Sequence, residues 1–155
     1  MIKVMFVCHG NICRSPMAEF VFKDMVERRG LREYFYIASS ATSTEEIGNS
    51  VHPGTRNKLK KYGVSTAGKC AVQLTKRDYK EYDYIVAMDR MNVKNILRII
   101  GNDRENKVKR LLDYSKSPRD IADPWYTGNF DLTYDDVYEG CEALLEFILH
   151  KENIS

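Results

Sequence analysis

The sequence predicts an α/β fold, a parallel β-sheet flanked by helices on both faces, with residues 1–155 in a single domain. A short run at residues 3–7 is rich in β-forming residues, and the apolar run at residues 84–88 has the composition of a fully buried strand; each precedes a segment with helical periodicity. Ligands of such sheets bind beyond the carboxyl ends of the strands. The loop after Val7 is therefore where chemistry is expected.

The first half of the chain predicts two strands and two helices. Ser15-Pro16 is expected to open the first helix, with serine as N-cap and proline in the first turn, and this helix should end near Gly30. A second strand fits residues 36–39. After His52, a basic helix is expected around residues 55–62. Its basic cluster is most simply a solvated face, and a docking surface for an acidic partner is the alternative. The cluster consists of Arg56, Lys58, Lys60 and Lys61.

The second half predicts a buried strand at residues 84–88, a helix over 91–100 and a weaker strand at 107–112. The last helix is expected over residues 132–150. Its apolar stripe consists of Tyr134, Val137, Cys141, Leu145 and Ile148.

Composition excludes several classes of protein. A hydrophobic content of 43% with 30% charged residues is ordinary for a folded globular protein, and a net charge of +2 gives no sign of a nucleic-acid partner. No apolar run approaches the length that spans a membrane. The four cysteines come without a secretory segment, so free thiols and a cytoplasmic location are expected.

The chemistry is expected in the loop that joins the first strand to the first helix. It consists of Cys8, His9, Gly10, Asn11, Ile12, Cys13, Arg14 and Ser15. Backbone N–H groups in a loop that enters a helix bind phosphate-like oxygens, and the planar guanidinium of Arg14 can hold two more. A cysteine in such an electropositive loop is expected to be a thiolate, which Ser15 can stabilise by donating its hydroxyl proton. A thiolate in a phosphate nest predicts covalent phosphoryl transfer.

Other interpretations of this loop fit less well. A nucleotide-binding P-loop needs a lysine after its second glycine, and a zinc site needs a second pair of ligands; neither is present. A purely structural turn explains Gly10 and Ser15 but not a cysteine and an arginine that face one space. Asp123, followed by Pro124, offers the general acid and base that ester cleavage requires, although an ordinary turn explains the pair as well.

The segments CHGNICRSPMAE and DPWYTG together resemble the low-molecular-weight protein tyrosine phosphatases, and weaker similarity extends over most of the chain. The resemblance implies a four-stranded parallel sheet, no metal, no cofactor, and phosphotyrosine proteins or small aryl phosphates as substrates. It makes Cys8 the nucleophile, Arg14 the phosphate clamp and Asp123 the acid and base. Asn11 would hold the loop in a strained shape, and Ser15 would tune the thiolate.

The resemblance also predicts secondary roles. Cys13 matches a second loop cysteine that can form a reversible disulfide with the nucleophile, or it packs as a small buried residue. Trp125 and Tyr126 would line the substrate cleft, and Glu45 with Glu46 would make the opposite wall acidic. Some relatives order the loop asparagine with a histidine that this chain lacks, so that support must come from other residues.

Two alternatives stay open at this point. Arsenate reductases of related fold use a similar loop with two further cysteines, but Cys70 and Cys141 are far apart in sequence and Asp123 would have little purpose there. The other alternative is a module that binds phosphotyrosine or an oxyanion without turning it over. A monomer or weak dimer is expected.

Overall fold

A computed structural model describes residues 1–154. Its four parallel strands form one sheet in the order β2-β1-β3-β4. The strands are β1 (Ile2–Cys8), β2 (Phe35–Ala41), β3 (Tyr84–Ala87) and β4 (Val108–Arg110). The α/β class and the parallel sheet are thereby confirmed, and β2 extends beyond the predicted residues 36–39.

Six α-helices connect or follow these strands within the described residues. They are α1 (Arg14–Arg28), α2 (Pro53–Lys60), α3 (Asp78–Glu81), α4 (Arg90–Ile100), α5 (Pro124–Thr127) and α6 (Phe130–Lys151). Two short 3₁₀ segments lie at Arg32–Tyr34 and Leu111–Tyr114, so the predicted strand at 107–112 is cut short. Over residues 1–154, no helix combines the length and the apolar character that crossing a bilayer requires.

The sheet is buried on both faces, which explains why β1 is a continuous apolar run. Val4 and Phe6 belong to the larger core, packed with α1 and α6, where the rings of Phe6 and Phe22 meet edge to face at 5.5 Å. Met5 and Val7 belong to a second core on the other face. Apart from the half-buried Tyr134, the predicted stripe of α6 is buried.

Three local predictions need correction. Ser15 is not the N-cap of α1: Cys13 holds that position, and the Ser15 hydroxyl is instead engaged with Cys8. Helix α2 begins earlier than expected because Pro53 occupies its first turn and the ring of His52 accepts from the Gly54 N–H at 2.9 Å. Lys58 does not belong to a solvated face.

Lys58 pairs with Asp131 of α6 at 2.8 Å, and its side chain is only 13% exposed. Its ammonium group also lies over the stacked rings of Tyr62 and Tyr134. The other three basic residues of the cluster are exposed, as predicted.

Candidate active site

The predicted loop lies at the carboxyl end of β1, in the middle of the sheet. Cys8 ends the strand in register with Ala41 of β2, and α1 begins at Arg14. Between them Asn11 adopts φ 59°, a left-handed conformation that turns the chain sharply. A non-glycine residue in this region costs about 1–3 kcal/mol, so surrounding contacts must hold it.

Donors from distant segments hold the carbonyl groups of this loop. The backbone N–H groups of Thr42 and Ser43 each donate to one carbonyl at 3.0 Å, and the His52 N–H donates to another at 2.9 Å. The Thr55 hydroxyl donates to a fourth at 3.0 Å. The accepting carbonyls belong to Cys8, His9, Ile12 and Cys13. With its carbonyls held outside, the loop can direct N–H groups inward.

The sulfur of Cys8 is the focus of those inward groups. The N–H groups of Asn11 and Ser15 donate to Sγ at 3.3 and 3.4 Å, and the Ser15 Oγ lies 3.0 Å away. The residue is 3% exposed. Two N–H donors and the Ser15 hydroxyl therefore surround the sulfur beside the N-terminus of α1.

Arg14 is buried beside this sulfur and is held by two oxygens. Its Nη1 donates to Asp89 Oδ2 at 2.6 Å and to the Ile121 carbonyl at 2.8 Å. Burial opposes the charge, but Cys8 and Asp89 outweigh it and raise the pKa of the Arg14 guanidinium above its ordinary value. The Arg14 side chain, 3% exposed, is therefore a fixed cation whose fork faces the loop.

Asp89 is a site residue that the sequence reasoning missed. It lies two residues after the end of β3, and its Oδ1 also caps α4 by accepting from the Asn92 N–H at 2.7 Å. The signal was available: a carboxylate just after a buried strand lies at the same sheet edge as the loop after β1.

Asp123 also lies close to Arg14 and lines the same cleft. Its Oδ2 lies 3.5 Å from Nη2 of Arg14, and its Oδ1 accepts from the Trp125 N–H at 3.0 Å, which makes it the N-cap of α5. The side chain is 24% exposed. The Asp-Pro turn is thus real, and its carboxylate also faces the cleft.

The loop and Asp123 line a cleft of about 570 Å³. One wall carries Trp125 and Tyr126, which are 57% and 83% exposed. The cleft is also lined by Glu45 and Glu46. Glu45 contacts the ring of His9, a pairing that the sequence reasoning missed.

His52, the N-cap residue that precedes α2, supports the aromatic wall of the cleft. Its ring stacks on Phe130 with centroids 5.2 Å apart, and its edge meets Trp125 at 5.8 Å. The N-cap of α2 therefore braces the cleft from behind.

The remaining cysteines differ from Cys8. Burial, followed by the charge of Cys8, raises the pKa of Cys13 to about 12, so Cys13 stays protonated at neutral pH. Cys141 is fully buried, and burial raises its pKa as well, whereas Cys70 is exposed. Neither Cys70 nor Cys141 lines the cleft, so the structure does not bring together the thiols that a disulfide relay needs. Within residues 1–154, no three His, Cys, Asp or Glu side chains are grouped so as to hold a metal ion.

Comparison with known proteins gives one consistent result. The family model described as "Low molecular weight phosphotyrosine protein phosphatase" matches residues 3–154. The low molecular weight protein-tyrosine-phosphatase YfkJ of Bacillus subtilis is 40% identical over 99% of this chain and 100% of its own. Its crystal structure superimposes with a TM-score of 0.93, covering 98% of this chain and 96% of that one at 41% identity.

Two other solved structures are similar over nearly their whole length. The low molecular weight protein tyrosine phosphatase from Streptococcus pyogenes has a TM-score of 0.88 at 41% identity, covering 99% of this chain and 97% of that one. The Drosophila arginine phosphatase has a TM-score of 0.86 at 29% identity, covering 95% and 98%.

Proposed function

Because the chain belongs to the low molecular weight phosphotyrosine protein phosphatases and is a cysteine-dependent protein-tyrosine-phosphatase, we propose that Cys8, Arg14 and Asp123 carry its reaction through a cysteinyl-phosphate. The observation that carries this assignment is the convergence of two N–H donors and the Ser15 hydroxyl on Cys8 Sγ, with the Arg14 guanidinium and the Asp123 carboxylate in the same cleft.

In the first step the Cys8 thiolate attacks phosphorus in line with the ester oxygen. The S–P bond forms as the P–O bond to the phenol breaks, and Asp123, acting as the acid, transfers its proton to the leaving oxygen. Arg14 and inward N–H groups of residues 9–15 hold the three equatorial oxygens. Asp89 fixes the guanidinium for this task through the 2.6 Å contact with Nη1.

In the second step water replaces the sulfur. Asp123, now ionised, removes a proton from the attacking water as the P–S bond breaks, so inorganic phosphate and the Cys8 thiolate are released. Ser15, 3.0 Å from Sγ, donates its hydroxyl proton to the sulfur as negative charge returns to it. This hydrogen bond stabilises the charge that develops on sulfur and so lowers the barrier to breaking the P–S bond.

We propose aryl phosphate monoesters, and phosphotyrosine in proteins above all, as substrates. The exposed rings of Trp125 and Tyr126 suit a flat aromatic leaving group. Glu45 and Glu46 would disfavour acidic residues next to the phosphotyrosine. Cys13 is proposed to be the partner of Cys8 under oxidation, for which its place in the same cleft is the support.

The cytoplasm is the proposed compartment, since the reaction needs Cys8 reduced and the chain has four free thiols. A phosphoprotein is the proposed macromolecular partner, with neither nucleic acid nor membrane involved, and the chain is proposed to act as a monomer or weak dimer.

The test is hydrolysis of para-nitrophenyl phosphate and of a phosphotyrosine peptide in excess EDTA. Wild type should turn over both, Cys8→Ser neither, and Cys8→Ser should still bind phosphate. Cys70→Ser, which changes an exposed cysteine outside the cleft, is the matched control and should keep full activity. Turnover by Cys8→Ser would contradict the assignment of the nucleophile.

A phosphoarginine peptide belongs in the same assay because a similar structure is that of an arginine phosphatase. The phosphotyrosine peptide should be strongly preferred. Preference for phosphoarginine would overturn the proposed substrate class while leaving the roles of Cys8 and Arg14 intact.

A further inference from the structure

A basic groove of about 950 Å³ lies beside α2 and shares no lining residue with the cleft. Its lining comes from the end of the segment before α2, from the helix itself and from residues 63–69 after it. Three cations line the groove, Arg56, Lys60 and Lys69, whereas no aspartate or glutamate does within residues 1–154. The reaction as described above uses none of these residues.

Two of these cations have no ion-pair partner within residues 1–154. Arg56 and Lys60 stand four residues apart in α2, so they project from the same face of the helix, and both are exposed. Of the basic residues at positions 56–61, only Lys58 pairs with a carboxylate in that part of the chain. The charges of Arg56 and Lys60 are therefore available to a partner.

Lys69 adds a charge that is fixed in place. Its side chain is 13% exposed, and its Nζ donates to the Ser39 carbonyl at 2.8 Å. Glu19 Oε1, 3.8 Å from the same nitrogen, balances this charge only in part. A cation that is partly shielded from water in a concave surface attracts an anion more strongly than a fully solvated one does. The groove therefore suits a negatively charged occupant.

The start of α2 joins this groove to the cleft, whose wall has the opposite charge. Val51 lines the groove, and the next residue, His52, contacts Trp125 of the cleft wall. The far end of α2 lies about 12 Å along the helix axis from His52, since each residue rises about 1.5 Å. Glu45 and Glu46 line the cleft. A substrate that reaches both places meets acidic residues beside its phosphotyrosine and basic residues farther away.

We propose that the basic groove docks an acidic segment of the phosphoprotein substrate, separated from the phosphotyrosine by several residues. This proposal rests on the proposed function and gives the same enzyme a second determinant of substrate choice. A concave surface admits one extended chain, whereas a membrane needs a flat or convex one. An extended chain covers about 3.3–3.6 Å per residue, so at least about four residues must span the length of α2, and about ten allow for a curved path.

The test compares kcat/KM for three phosphotyrosine peptides at low salt, each made with its tail on either side of the phosphotyrosine. One tail is neutral, one has about six aspartates directly beside the phosphotyrosine, and one has the same aspartates after about ten glycine and serine residues. On at least one side, the spaced aspartates should raise kcat/KM about fivefold over the neutral tail, and the adjacent ones should lower it. The gain should disappear in about 1 M NaCl, where the Debye length is about 3 Å.

The variant that tests the groove carries Arg56→Ala and Lys60→Ala together, and it should reduce the gain to less than about twofold. Its matched control carries Lys94→Ala and Arg98→Ala, which remove two exposed cations four residues apart in α4, outside the groove. The control should keep the full gain, and both variants should hydrolyse para-nitrophenyl phosphate, which has no tail, at the wild-type rate. An equal loss of the gain in both variants would assign the effect to overall charge and overturn the proposal. A full gain in the groove variant would overturn it as well.

Binding without turnover separates the groove from the catalytic assignment. A fluorescent peptide with the same aspartates and no phosphotyrosine should bind wild type and Cys8→Ser equally in anisotropy measurements, and the groove variant about fivefold more weakly. No binding to wild type would overturn the proposal even if para-nitrophenyl phosphate is hydrolysed normally. If wild type binds the peptide but turns over no phosphate ester, the groove stands and the catalytic assignment fails.

Vesicles of anionic phospholipid are the last comparison. Wild type should not bind them more tightly than the groove variant does. Vesicle binding that requires Arg56 and Lys60, without any gain for the spaced peptide, would assign the groove to a membrane surface and overturn the proposal.

Discussion

Replacing Asp89 by asparagine should weaken catalysis by loosening Arg14 without removing any group that touches phosphate. Asparagine has the same shape and can still cap α4, but it loses the charge that faces Arg14 Nη1 at 2.6 Å. A hydrogen bond to a charged group contributes about 1.5–3 kcal/mol. Because the Asp89 side chain is 21% exposed, we take about 2 kcal/mol from the middle of that range. If this is lost from the transition state, kcat/KM falls about 30-fold.

The assay is steady-state hydrolysis of para-nitrophenyl phosphate, with inhibition by inorganic phosphate measured in parallel. Asp136→Asn is the matched control: its carboxylate pairs with Arg119 at 2.8 Å and is 13% exposed, but it does not line the cleft. Asp136→Asn should keep kcat/KM within twofold of wild type. A folded Asp89→Asn variant with wild-type kcat/KM and wild-type phosphate inhibition would refute the argument that Asp89 positions Arg14.

Four further outcomes are expected. Asp123→Ala should slow esters of poorly acidic phenols most, and equal slowing across a leaving-group series would count against an acid role. Glu45→Gln should reduce the preference for a lysine-flanked over a glutamate-flanked phosphotyrosine peptide about threefold in kcat/KM, and an unchanged ratio would show that Glu45 faces solvent only. Gly140→Ala should destabilise the fold by about 1–3 kcal/mol in urea unfolding, because its Cβ would overlap Leu111 Cγ, and unchanged stability would contradict that packing. Despite burial, hydrogen bonds hold the pKa of Asp103 below its usual 3.8, so its stabilisation is present at neutral pH and lost as pH falls below that value. Asp103→Asn should therefore lower the melting temperature more at pH 7 than at pH 3, and an equal loss at both would exclude this linkage.

The strands and helices that carry the loop could be predicted because their signals are local. The apolar run of β1 and the buried stripe of α6 indicate elements that are covered by others, as the structure confirms. The predicted ends of helices are less accurate than the helices themselves where a side chain has two possible partners. Serine is a favoured N-cap residue, but the hydroxyl of Ser15 lies 3.0 Å from Cys8 Sγ and 2.7 Å from Asn11 Nδ2, and the helix begins before it.

The residues of the site also fall into two groups, those that the local sequence predicts and those that it does not. The cysteine, the arginine and the loop between them stand within eight consecutive residues, so their proximity follows from chain connectivity. Asp89 lies 75 residues from its partner Arg14. Lys58 stands among basic neighbours in the sequence, but Asp131 of another helix pairs with it. Such contacts depend on how strands and helices are arranged in space, which local patterns do not specify.

The contacts that hold the carbonyl groups of the loop at residues 8–15 determine how the active site unfolds. Residues 8–13 are held from outside by the chain near Thr42, by the start of α2 and, through Asn11, by the Val72 N–H. The eight residues of the loop are continuous in sequence, but their conformation depends on distant segments. A peptide with this sequence would therefore lack the groups that keep its N–H donors inward. Because these anchors belong to three segments that follow the loop in the chain, amide hydrogen exchange in the loop should accompany opening of those segments rather than occur by itself. The protein cannot melt its active site locally and keep the rest of this sheet edge intact.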